Sequence, residues 1–356
     1  MSPHDLRVES DSTANEDKGG EMIRKANSVK TSILLVVATC HLAPAQQPTV
    51  TTLTVDLANQ VEYQADISDP TKFARNANTT PSLGNGTGIL NFGVATILGD
   101  IVAVNGQPAK GFFAARDRWI AAYQAPVPGQ AIADVRRGRI REFTFEILQP
   151  DGTAIGSIMG MGLAEGDPPP GQPSTEKANW AIAGGTGAFL GARGQVEGTG
   201  GTGRGASMAE DPANRRLNGG SANRYLVHII PMTIPQIVMN ANGPAITHSS
   251  DFSLVNASKP ATAGEILSLF ATGMGPLRGA PTGQPFPSNP VAAVNSPVQI
   301  LVNGNPAEVI GAVGYPGAVD GYQVNFRVPA DIAKGSATIQ VSAAWTPSAP
   351  VTIPVQ

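Results

Sequence analysis

The chain has 356 residues, a formal net charge of -3 and 14% charged residues, and Gly 41 and Pro 30 together make up about a fifth of it. Ordinary soluble domains carry roughly 25% charge, and nothing here forms a basic stripe interleaved with aromatics, which argues against nucleic acid as a partner. Low charge, many turn formers and Val/Ile/Thr-rich runs predict an all-β protein long enough for two cores.

Residues 1–21 are polar and acidic, and read as a disordered leader or as sequence upstream of a translation start at Met22. From Met22 the pattern is that of a secretory signal peptide. Arg24, Lys25 and Lys30 give the positive region, Ser32 to Thr39 the apolar core, and Ala43-Pro44-Ala45 a small-residue cleavage site. A signal over 22–45, cleaved after Ala45, predicts a secreted, extracellular or cell-envelope protein. Lipidation of Cys40 is the competing reading, against which Thr39 is a poor preceding residue. Cys40 is the only cysteine. Cleavage therefore leaves no thiol for nucleophilic catalysis, thiolate metal binding or disulfides. No later stretch approaches the roughly 18 apolar residues of a membrane-spanning helix, so none is expected.

Over 46–234 the chain reads as successive strands. Leu53, Val55 and Leu57 alternate onto one face, a long apolar run spans Ile89 to Val104, and Asn105-Gly106 turns it back. In Gly138 to Leu148, Phe143, Phe145 and Ile147 share one face, opposite Glu142, Thr144 and Glu146. Pro150-Asp151-Gly152-Thr153 is a turn, and Asn223 to Met232 supplies a closing strand. Eight candidate strands precede Pro235, the number a small closed antiparallel barrel needs. The Gly-rich stretch before Asn223 reads as an exposed, mobile loop in which Arg215 and Arg216 pair locally with Glu210 and Asp211. Beyond it, 235–356 shows short alternating strands separated by Gly/Pro/Asn turns, the pattern of a β-sandwich.

Asn179 to Gly198 holds a hairpin in which Trp180, Ile182 and Phe189 form the buried face. Its Gly184, Gly185, Thr186, Gly187 and Phe189, followed by Arg193 and Gly194, are read as structural. Gly185, Gly187 and Gly191 spell GxGxxxG, but the glycine-rich continuation has no helical period. A dinucleotide site, which needs a helix N-terminus, is therefore disfavoured. No GK[ST] follows, which excludes a P-loop. GGTGAF with the following ARG resembles the hairpin of the dirigent and allene oxide cyclase barrel superfamily. That resemblance implies an eight-stranded antiparallel barrel, often trimeric, in which small apolar molecules are guided or cyclised. It implies the fold and not the chemistry. ATAGEILSLFATGMGP, QILVNGNPAEVIGAVGYPG and YQVNFRVPADIAKGSATIQVS resemble an Ig-like sandwich of the IPT/TIG type found at the C-termini of secreted bacterial proteins, usually an adhesive or spacer module.

Groups able to do chemistry are few. Of the histidines beyond the leader, His228 and His248 fall in different predicted domains, and no nucleophile elbow accompanies either. No metal-ligand spacing appears, and neither a metal nor a cofactor is expected. Glu142 and Glu146 are acid/base candidates if their face lines the barrel, although at about 13 Å apart they do not form a glycosidase pair. With the phenylalanines inside, both face solvent. Arg116, in the cluster Arg116-Asp117-Arg118-Trp119, is a further catalytic candidate, with surface charge as the alternative. Trp119, Tyr63, Tyr225 and His228 are candidate ligand contacts, although His228, between Leu226 and Ile230 in alternation, reads first as a packed, hydrogen-bonded strand residue. Arg193 is expected to brace the hairpin through carbonyl hydrogen bonds.

Two functions remain open. The first is a secreted or surface-associated binding protein, non-enzymatic, whose barrel holds a small apolar ligand and whose C-terminal domain meets a cell-surface or extracellular partner. The second is a cofactor-free isomerase, cyclase or stereochemical guide. The absence of a nucleophile or coupled acid/base pair favours the first, and a homotrimer follows from the barrel resemblance alone.

Overall fold

A computed structural model describes residues 50–64, 94–120, 138–166, 179–198, 204–207 and 209–356. The leader, signal and Cys40 readings concern residues outside this set. The first eight long strands are β1 (Thr51–Gln64), β2 (Val94–Val104), β3 (Lys110–Ile120), β4 (Gly138–Leu148), β5 (Ala154–Gly166), β6 (Asn179–Gly185), β7 (Arg193–Gly198) and β8 (Ser221–Ile230). Each pairs antiparallel with the next, and β8 returns to β1 with Leu53 opposite Val227, which closes an eight-stranded barrel.

Strand alternation fills the barrel. Phe113, Phe143, Phe145, Trp180 and Tyr225 project inward and are buried. Their rings interlock, with Phe113 to Phe145 at 4.8 Å, Phe143 to Trp180 at 5.2 Å and Trp180 to Tyr225 at 5.4 Å between centroids. Such pairs contribute about 0.5–1.5 kcal/mol each beyond area burial, so the middle of the barrel is a packed plug. Gly160 faces this plug, where a Cβ would strike the Ala181 carbonyl and the Phe143 ring.

A bulge in β1 changes which of its residues face inward. Leu57 pairs with Ile101, but beyond Asn59, at φ 51, the register has shifted and Glu62 pairs with the buried Ile97. Paired residues share a face. Gln60 and Glu62 therefore join the inner face, while Val61 and Tyr63 turn outward, where Arg204–Ser207 pairs parallel to β1 and covers them.

The segment after β7 is held to the barrel wall. Arg215 donates to the Asn59 carbonyl at 2.8 Å and to Asp100 at 2.6 Å, and Arg216 donates to Asp100 at 2.8 and 2.9 Å. Glu210 pairs instead with Arg204 at 2.6 Å. This differs from the local pairing read in the sequence. Asp100, on the outer face of β2, offers both arginines a carboxylate that is already partly desolvated, and a strand supplies what a loop alone could not. Burial pushes the Asp100 carboxyl upward, but hydrogen bonds from Arg216, Arg215 and Asn59 outweigh it and hold the group below the usual carboxylate range. A depressed folded value means that its contribution to stability is present above the unfolded value of about 3.9 and is lost as pH falls through the folded value. The gap between the melting temperatures of wild type and Asp100→Asn is expected to start narrowing as pH falls below about 4 and to close only below the depressed folded value. A gap that stays constant from pH 7 to pH 2 would contradict this.

The remaining long strands are β9 (Ile246–His248), β10 (Ile266–Thr272), β11 (Val298–Val302), β12 (Val309–Gly314), β13 (Tyr322–Arg327), β14 (Gly335–Ala343) and β15 (Val351–Val355). One sheet runs β9-β10-β13-β12 and the other β11-β14-β15. Leu267, Leu269, Val324 and Phe326 from the first share a core with Ile300, Ile339, Val341 and Ile353 from the second. His248 is buried in this half, where Nδ1 faces Glu265 at 3.0 Å and Nε2 faces the Lys259 carbonyl at 3.3 Å.

This second half meets one end of the barrel. Gln149 donates to the Asn295 carbonyl, Asn295 donates to the Ala154 carbonyl, Arg278 pairs with Asp151 at 3.3 Å, and Ala344 belongs to the barrel core. No helix among the described residues is long and apolar enough to cross a membrane.

Candidate functional site

The two ends of the barrel differ in chemistry. Strands running away from the covered end finish in polar residues on their inner faces: Gln60 and Glu62 on β1, Asp117 on β3, with Arg141 at the start of β4 and Asn223 and Tyr225 at the start of β8. Each position follows from strand alternation. Asp117 continues the inward series of Phe113 and Ala115, and Arg141 precedes Phe143 and Phe145 in theirs.

Asp117 and Arg141 form the centre of the site. Arg141 donates from Nε to Oδ1 and from Nη2 to Oδ2, both at 2.6 Å, and the two residues are 0% and 6% exposed. The fork geometry matches a carboxylate bidentately. The guanidinium carbon also lies 4.6 Å from the Trp180 ring centroid, a cation–π contact that strengthens when water is excluded. Burial alone would lower the Arg141 pKa, but the hydrogen bonds and charge of Asp117 outweigh it and hold it above the usual value, with Glu62 adding to the effect. The guanidinium stays ionised.

Tyr225 extends the site toward β1. Its hydroxyl donates to Gln60 Oε1 at 3.1 Å. Burial pushes the phenol up, against the opposing charge of Arg141, so it remains a donor at neutral pH. The Trp180 Nε1–H and the Asn223 Nδ2 amide are buried with no hydrogen-bond partner. Buried donors left unsatisfied cost about 1–3 kcal/mol each, and an acceptor brought by a ligand would satisfy them. The site thus offers an aromatic floor, a fixed ion pair and unspent donors.

The residues singled out in the sequence divide between this site and other surfaces. Tyr225 lies in it. Tyr63 is turned outward by the bulge toward the segment that pairs with β1, its hydroxyl buried, and burial and the Glu210 charge raise its pKa. Glu142 and Arg116 are exposed on the outer wall, paired across β3 and β4, and Glu146 shares that face. The inner face belongs to the phenylalanines because carboxylates there would lack partners. Trp119 lies on β3 opposite Arg139, with its side chain outside the described set. His228 faces outward, where Nδ1 meets the Thr52 hydroxyl at 2.9 Å.

The hairpin residues lie toward the covered end. Thr186 Oγ1 lies 2.6 Å from the Ser157 hydroxyl, and Phe189 is buried. Gly187 has φ 60, a Cβ on Gly185 would meet the Phe189 carbonyl, and Arg193 donates to the Ala192 carbonyl at 3.0 Å. Gly184 faces open space near Arg193, and Gly194 backs onto β8.

Asp117, Arg141, Gln60, Glu62 and Asn223 were not singled out by the sequence reading. One signal was available: opposite charges at the ends of two adjacent inward-facing series, Phe113-Ala115-Asp117 and Arg141-Phe143-Phe145. No group of His, Cys, Asp and Glu suited to hold a metal occurs among the described residues. No family model and no curated protein matches the chain.

Proposed function

We propose that the chain is a small-molecule binding protein whose barrel receives its ligand at the polar end, with an apolar part against Trp180 and Tyr225 and an acceptor oxygen toward the unspent donors. One observation carries the reading: Trp180, whose ring lies under the Arg141 guanidinium of a rigid ion pair, keeps a buried N–H with no partner, and Asn223 keeps a second buried donor at the same end of the barrel. Structural networks normally leave no such donors unmatched. The closed barrel and the GGTGAF hairpin are compatible with membership of the dirigent and allene oxide cyclase superfamily. The two-sheet C-terminal half likewise agrees with an IPT/TIG-type module. The signal-like segment 22–45 supports action outside the cytoplasm, with the C-terminal half available to an extracellular partner.

A cofactor-free isomerase or cyclase is the second reading, favoured by the desolvated Asp117–Arg141 pair next to Tyr225. Binding is preferred because both Asp117 oxygens accept from Arg141, which leaves the carboxylate poorly placed to take a proton. The aromatic plug also fills the barrel where a reacting intermediate would need to be enclosed.

Native mass spectrometry of residues 46–356, after exposure to lipid and phenolic extracts of the producing cells, tests the proposal. One discrete small molecule retained per chain is expected, with retention reduced at least tenfold in Asn223→Leu. Protein that retains nothing from either extract would overturn the binding reading. Turnover of the retained molecule into an isomer would move the assignment to the second.

A further inference from the structure

A second site lies far from the polar end, where the β2–β3 turn meets the outer face of the β11–β14–β15 sheet. A cleft of about 320 Å³ is lined there by Asn105, Gln107, Gln299, Gln340, Ser342 and Trp345 among others, and no residue lining it carries a charge. That volume falls at the small end of ligand sites, roughly 300–1,000 Å³.

Trp345 is held in this cleft at a conformational cost. It follows Ala344 in a two-residue hairpin turn that pairs Ala343 with Thr346, and Ala344 and Trp345 have φ 47 and φ 62. Such turns favour Asn-Gly, as at Asn303-Gly304, where φ is 51 and 80. Left-handed backbone is unfavourable for a residue with a Cβ. Ala344 packs into the barrel core, and one side of Trp345 packs against that core. The indole is fixed by donating to Gln107 Oε1 at 3.3 Å, and it remains only half-buried along the cleft.

The polar groups around it keep both donors and acceptors. Gln107 spends its Oε1 on Trp345, which leaves its Nε2. Gln340 spends its Nε2 on the Ser348 carbonyl at 2.7 Å, which leaves its Oε1. Asn105 uses Oδ1 to accept from Thr54 N at 2.7 Å, which leaves its Nδ2. Gln299 and Ser342 add an amide and a hydroxyl from adjacent strands. Amides presenting donor and acceptor together match hydroxyl groups, which are also both. An uncharged wall does not favour phosphate, carboxylate or ammonium, while an indole offers the apolar C–H face of a sugar ring a flat partner.

We propose that this cleft binds a neutral saccharide of one or two rings, with Trp345 as the stacking platform and Gln107, Gln299 and Gln340 reading the hydroxyls. The site is independent of the barrel's polar end. The test is titration of residues 46–356 with cellobiose, maltose and N,N′-diacetylchitobiose, followed by tryptophan emission and by calorimetry. Saturable binding of at least one sugar is expected, weakened at least tenfold in Gln299→Ala and lost in Trp345→Ala. Gln299 lies on a strand surface and serves where Trp345→Ala disturbs the junction; melting temperatures identify that case. No saturable binding by any of the three sugars, or binding unchanged in Gln299→Ala and Trp345→Ala, would overturn the proposal.

Discussion

Asp117→Ala is expected to destabilise the protein by about 3–5 kcal/mol, because it leaves the Arg141 guanidinium buried without its partner. At roughly 2–4 °C per kcal/mol for a barrel of this size, its melting temperature should fall by about 6–20 °C. Replacing the whole pair has a different consequence. Asp117→Leu with Arg141→Met removes both desolvation costs and fills the volume with apolar atoms, a change that is often neutral or stabilising. The double variant should therefore melt near wild type while lacking the polar floor of the site. A double variant as unstable as Asp117→Ala would show that the pair is needed for folding.

Gly194→Ala is expected to be comparably damaging for a steric reason. Gly194 has φ 142, and a Cβ there would overlap the His228 carbonyl of the neighbouring strand β8. Strained backbone costs about 1–3 kcal/mol and overpacking about 1–3 more, so a loss of about 3 kcal/mol or greater is expected. Gly184, in the same hairpin, is the control. Its backbone is ordinary and the nearest atom to an added Cβ is Arg193 Nη1 at 3.8 Å. Gly184→Ala should stay within about 0.5 kcal/mol of wild type. Equal melting temperatures for the two variants would contradict this account of the hairpin.

The barrel was legible in the sequence because its core depends on local periodicity. Phe143, Phe145 and Ile147 declare an inner face, and Asn105-Gly106 turns the chain with φ 50 and 74. The site was less legible because its residues are defined by partners far along the chain. Asp117 stands between Arg116 and Arg118 and reads as one more surface charge. Inside the barrel it meets Arg141, on the next strand. Tyr63 and Glu62 exchange faces because of a bulge at Asn59, a residue whose left-handed backbone no alternation rule reveals. Arg215 and Arg216 read as partners of the nearest acids, whereas Asp100 reaches them through the fold.

The ligand claim rests on the polar end of the barrel, and the double variant separates it from stability. Native mass spectrometry of wild type beside Asp117→Leu/Arg141→Met, with extract exposure and melting temperatures matched, is the most direct measurement. Wild type is expected to retain a discrete small molecule, and the folded double variant little or none. Equal retention by both proteins would place the ligand elsewhere and contradict the assignment.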